Sequence, residues 1–148
     1  MSSTTRRPVQ GPGRLIAAIY ALFALSAGAR ALFQIATKFS HAPLAYALSA
    51  IAAVIYLLAA ICFTFPSAGA WRTAVVALCI EFIGVVGVGL LSVLDTSLFK
   101  DASVWSKFGV GYGFVPLVLP LIGLWWLTRP ATRVAFGEAP APQEHSSG

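Results

Sequence analysis

Apolar residues run almost unbroken through four stretches of the chain, 15–37, 43–65, 73–94 and 108–128, each about 21 to 23 residues long. At ~1.5 Å of rise per residue, a helix of that length crosses a hydrocarbon core of ~30 Å. The stretches are apolar all round rather than along one stripe, which excludes the half-wetted helices of a soluble bundle. The pattern predicts an all-α, polytopic membrane protein whose residues 14–129 form a four-transmembrane-helix bundle. The first two connections are short, so consecutive spans should lie antiparallel, up-down-up-down.

Polar segments frame these stretches. Residues 1–13 are rich in Ser, Thr, Pro and Gly, and 130–148 ends in a low-complexity run from Glu138 to Gly148. Neither carries enough apolar side chains to offset its ordering entropy, so both read as disordered tails. The longest connection, 95–107, has two readings. Asp101 can cap a short helix with Leu98, Ala102 and Trp105 along one face at the membrane interface, or the segment is a solvated loop.

Composition agrees with the pattern: 58% of the 148 residues are hydrophobic and 10% charged, against ~25% charged in an ordinary soluble chain. The net charge of +5 would point to nucleic acid in a soluble protein. Here Arg6, Arg7, Arg14, Arg72, Arg129 and Arg133 lie at span ends and read as topology signals, so no nucleic-acid partner is expected. With the N-terminus inside, those six arginines face the cytoplasm and Lys38, Lys100 and Lys107 lie outside. Trp71, Trp125 and Trp126 then form an inner aromatic belt and Trp105 an outer one. The expected placement is the plasma membrane, multi-pass, with both termini and both tails cytoplasmic and 95–107 external. Ala27-Gly28-Ala29 imitates a signal-peptide cleavage site, but the apolar pattern resumes at Ala31 and exceeds a signal core of ~7–15 residues. The first span is read as retained.

Chemistry is sparse. Cys62 and Cys79 have neither CxxC spacing nor a histidine partner, and read as small apolar residues. His41 falls in a turn and His145 in the tail. No catalytic residue, metal or cofactor is expected. Val110-Gly111-Tyr112-Gly113 matches the core of a potassium-channel filter. Gly109 stands where that signature has threonine, and about 15 residues, roughly 22 Å of helix, remain for an inner helix. The better reading is that Gly109 and Gly113 admit a neighbouring helix closely. Ala17 with Ala21, Ala24 with Gly28, the series Ala45, Ser49 and Ala53, and the glycines at 84, 87 and 89 invite the same reading. Pro116 and Pro120 should kink the fourth span and free the carbonyls of Tyr112 and Pro116.

Two charges interrupt the spans, Arg30 in the first and Glu81 in the third. Intramembrane charges are costly and usually face the bundle interior. From the helical rise, Arg30 lies roughly 22 Å from the inner end of its span and Glu81 roughly 13 Å, close enough for a water-bridged pair. Ser49 and the Tyr112 carbonyl fall level with Arg30, and Tyr56 with Glu81. Ser26, Arg30 and Gln34 add a polar stripe at four-residue spacing. The expected polar pocket therefore comprises Arg30, Gln34, Ser49, Tyr56, Glu81 and Tyr112. The competing expectation is that Arg30 snorkels to the outer surface and Glu81 is protonated and hydrogen-bonded.

The segment from Asp101 to Pro120, with the turn from Lys38 to Tyr46, resembles a set of uncharacterised four-span membrane proteins of high-GC Gram-positive, actinobacterial type. The resemblance implies the four-span topology and carries no activity. Small multidrug transporters also have four spans but hold their working carboxylate in the first, and four-span thiol oxidoreductases need a CxxC. The expected role is a small non-enzymatic membrane protein that packs against copies of itself or a larger membrane-protein partner in the bilayer. The alternative is a small-solute carrier in which Glu81 takes up protons and Arg30 holds an anion.

Overall fold

Proline opens the first two long helices. Pro12 and Pro43 each stand in the first turn, where a missing N–H costs nothing. A computed structural model describes residues 11–95, 97 and 102–137. Its long helices are α1 (Pro12–Lys38), α2 (Pro43–Thr64) and α3 (Ala68–Leu94), followed by the shorter α4 (Val115–Leu127) and α5 (Pro130–Ala135). Among the described residues there is no strand. α3 begins five residues ahead of the expected 73, because the Ser67 hydroxyl accepts the Ala70 N–H at 3.0 Å and caps it.

α1, α2 and α3 are each long and apolar enough to cross a membrane. Their outward faces are apolar too: Leu25 and Leu32 are 71% exposed and Ile83 70%. Such an exterior suits lipid rather than water.

α1 and α2 form the tightest pair, joined by the short turn at 39–42. Ala45, Ala52, Ala53, Ala59 and Ala60 are buried along α2, and Gly28 of α1 approaches the Ala53 methyl. Small side chains bring the helix backbones together, as the alanine spacing predicts. At one end of the molecule Phe63 of α2 stacks on Tyr20 of α1 and meets Trp126 of α4 with ring centroids 5.5 Å apart. There the Trp71 indole of α3 donates to the Leu127 carbonyl of α4 at 2.8 Å. α4 approaches α3 at Gly123, where a β-carbon would stand 2.5 Å from Leu78.

The fourth predicted span is not one helix. Residues 106–112 form a 3₁₀-type segment, with Lys107, Phe108 and Gly109 left-handed, bent 95° from α4. Gly113 (φ 65) and Phe114 (φ 61) continue the reversal. α4 has 13 residues, roughly 20 Å. Pro116 sits in its first turn, where it breaks no hydrogen bond, so the Tyr112 carbonyl is not orphaned inside a helix as expected. Pro120 alone interrupts α4.

Two further expectations change. The connection 95–107 divides where it is described: Asp95, Ser97, Ala102 and Lys107 are exposed, whereas Ser103, Val104, Trp105 and Ser106 are buried in the bundle. Leu98 and Asp101 lie outside the described residues, as do 1–10 and 138–148. The C-terminal tail is ordered at its start, because α5 returns Phe136 to the core, edge-on to Phe63 and Trp126. Cys62 is buried, whereas Cys79 faces outward.

Candidate functional site

Glu81 occupies the midpoint of α3 and is wholly buried. Its Oε1 accepts the hydroxyl proton of Tyr20, from α1, at 2.7 Å. Its Oε2 has no hydrogen-bond partner. Tyr56 of α2, also wholly buried, sets its ring 6.0 Å from that of Tyr20. Phe23 packs against Tyr56 at 5.9 Å and against Tyr112 at 5.7 Å. These are contact distances between rings, so the phenol that binds the carboxyl belongs to a continuous aromatic cluster.

The 102–114 segment closes this centre. The Trp105 indole N–H donates to the Tyr56 hydroxyl at 3.0 Å, and its ring lies against the backbone of Gly84. The Val104 N–H donates to Ser49 Oγ at 3.1 Å, and the Lys107 N–H to Ser92 Oγ at 2.6 Å. Ser92 in turn donates to the Gly89 carbonyl, and the Phe108 ring fills the space above Gly89. Gly84 and Gly89 are therefore sockets for two aromatic rings of the chain itself. Gly87 has no neighbour and contributes nothing of the kind.

The expected pocket is brought together only in part. Tyr56 packs on Tyr20, the phenol that binds Glu81, Ser49 holds the segment at Val104, and Tyr112 belongs to the segment and packs on Phe23. Gln34 is buried. Arg30 is exposed and does not meet Glu81. Helix geometry explains this: the buried face of α1 runs through Tyr20, Ala27, Ala31 and Gln34, and Arg30 lies about 100° around from Ala31. Tyr112 packs as a ring rather than offering a carbonyl. Val110 to Gly113 is coiled, not extended as a filter requires.

Sequence reasoning missed Tyr20 and misplaced Trp105, which is 3% exposed instead of lying in an outer belt. Tyr20 is the single tyrosine of the first span. The inner belt divides too. Trp126 is core, while Arg129 lies over Trp125 and Arg133 over Trp71, at 5.1 and 5.2 Å from the ring centroids. Among the described residues no three His, Cys, Asp or Glu side chains cluster as metal ligands. What the centre offers chemically is one carboxylate, two phenol oxygens and an aromatic wall.

Comparison with known protein families, curated proteins and solved structures finds no match to this chain.

Proposed function

We propose that this chain is a four-span protein of the plasma membrane with both termini cytoplasmic, acting without enzymatic chemistry by packing into a membrane assembly. The bent segment with α4 serves as the fourth crossing. Support comes from one end of the molecule, where Arg129 and Arg133 flank Trp125 and Trp71 beside the start of α3 and the ends of α2 and α4. Cationic and indole side chains gathered at one level suit a cytoplasmic interface. Single cysteines at Ser3, Ser97 and Ser147, without Cys62 and Cys79, test the topology. Only position 97 should react with an impermeant thiol reagent in intact cells, and labelling at 3 or 147 would refute it.

The observation that carries the packing role is a groove of about 470 Å³ on the outer α1–α2 face. Its walls include Ala21, Ala24, Gly28, Ala50 and Ala53 among larger apolar side chains such as Leu57. A surface this small-residued lets another helix approach closely. Ala21→Leu with Ala50→Leu would fill it, with the expected outcome that a stoichiometric membrane-protein partner or second copy is lost in native purification while the chain stays monodisperse. Unchanged association would refute the reading.

The solute-carrier reading keeps one supporting observation, the unpartnered oxygen of Glu81. Its anion-holding arm is weakened because Arg30 points away.

A further inference from the structure

Three features compete for a further role: the 470 Å³ apolar groove, the plug that 102–114 inserts at Ser103–Ser106 and Gly109, and the Glu81 centre. The groove belongs to the packing role already given. The plug explains itself by its hydrogen bonds and glycine sockets. Glu81 is left with something unexplained: a wholly buried carboxyl, half of it unpartnered, in the middle of a helix long enough to cross a bilayer.

Carboxylates are rarely buried unless a cation or a full set of donors balances them. Here the donors stop at one. Tyr20 supplies its hydroxyl proton to Oε1, no arginine or lysine arrives, and Oε2 is bare. The other groups that could compensate can be named from each element. α1 offers Tyr20, while its Arg30 is exposed; α2 offers Tyr56; α3 itself adds only the outward Cys79 and the terminal Arg72. α4 has no ionisable side chain, and the bent segment contributes Tyr112, which reaches the centre only through Phe23 and Tyr56. None of them carries a positive charge into the centre.

The Tyr56 hydroxyl makes the site more specific. It accepts from the Trp105 indole, so its lone pairs are partly engaged and its orientation is fixed. Tyr20 is fixed likewise by Glu81 and by its ring contacts with Tyr56 and Phe63. The two phenol oxygens of the centre are thus held by packing and hydrogen bonds. The rings that hold them stand in mutual contact, which excludes an organic or hydrated cation.

We infer that the Glu81 centre binds one small, bare monovalent cation, a proton or a sodium ion, on the carboxylate and the hydroxyl oxygens of Tyr20 and Tyr56. This site is independent of the packing role, which resides on the outer face of α1 and α2. Binding neutralises the carboxylate and satisfies the oxygen left bare. The Trp105 indole, bound to the Tyr56 hydroxyl, holds that oxygen in place.

The test is infrared difference spectroscopy of the full chain in proteoliposomes, comparing choline chloride with sodium chloride across mildly acid to mildly alkaline pH. Glu81→Gln identifies the Glu81 carboxyl bands. A protonated-carboxyl band that titrates as a single site, with no effect of sodium, assigns the proton. Loss of that band on adding sodium, with choline inert, assigns sodium. Tyr20→Phe keeps the ring and removes one oxygen, so it should shift the midpoint of either response at least about tenfold in cation concentration, that is, ~1.4 kcal/mol at the site. If Glu81→Gln does not fold, Tyr20→Phe and Tyr56→Phe carry the test, because both retain the carboxyl. A carboxyl signal that answers neither pH nor sodium overturns the inference, and so does a response that both phenylalanine variants leave unmoved. Partner loss with the Ala21→Leu, Ala50→Leu pair is read separately, so either conclusion can fail without the other.

Discussion

The α1–α2 pair and the 102–114 segment are held together in opposite ways. In the pair, regular helices meet through alanine and glycine: a β-carbon at Gly28 would meet the Ala53 methyl at an ordinary 3.7 Å. In the segment, the backbone turns left-handed at Lys107, Phe108, Gly109, Gly113 and Phe114. Its place is fixed by three hydrogen bonds to serine and tyrosine and by two rings seated on glycines. Close packing distributed over many small contacts tolerates local change; an irregular segment concentrates its stability in a few groups. The same contrast places the candidate binding centre, because the regular pair supplies Tyr20 and Tyr56 while the irregular segment supplies the Trp105 that binds the Tyr56 hydroxyl.

The sharpest way to break this comparison is to empty the larger socket. Trp105→Ala removes a buried indole and its hydrogen bond, and should cost ~3–5 kcal/mol, read as a lower unfolding temperature in detergent. Leu32→Ala, on the outward face of α1, should cost far less; equal losses would erase the distinction.

Next come the glycines that the sequence reading treated alike. Gly109 is left-handed at φ 81, and a β-carbon there would stand 2.9 Å from the Pro116 ring. Gly109→Ala should therefore cost on the order of 2–4 kcal/mol, from backbone strain plus overpacking. Gly113 has φ 65 but open space around it, so Gly113→Ala should cost only ~1–2 kcal/mol. If the two lose stability equally in thermal unfolding, the left-handed turn they share governs both and the Pro116 contact adds nothing.

Ser92→Ala is expected to cost ~1–2 kcal/mol, since one hydroxyl bridges the Gly89 carbonyl and the Lys107 N–H. Faster amide exchange at Lys107 than in the wild type would accompany it. An unchanged rate would mean that the socket alone positions the segment.

The smallest effect belongs to the regular pair. Gly28→Ala adds a methyl at ordinary contact distance within a helix, and should shift stability by less than ~1 kcal/mol, with gain as probable in sign as loss. A large loss would show that the α1–α2 contact is as exacting as the segment.

The sequence by itself determined the long apolar helices, the alanine-lined approach of α1 to α2, and Glu81 as the residue out of place. Each follows from local composition or period, because a helix in lipid satisfies its own backbone and shows its lining through the spacing of small residues. It also exposed the prolines, glycines and aromatics of 105–116 without revealing their arrangement. Tertiary structure decided the rest. It turned Arg30 outward through the phase of α1, gave Glu81 a phenol from α1 instead of a guanidinium, and folded the 102–114 segment inward. Those outcomes depend on which faces of three helices meet and on backbone reversals whose cost only distant contacts offset, and neither is encoded in the spacing of residues along one span.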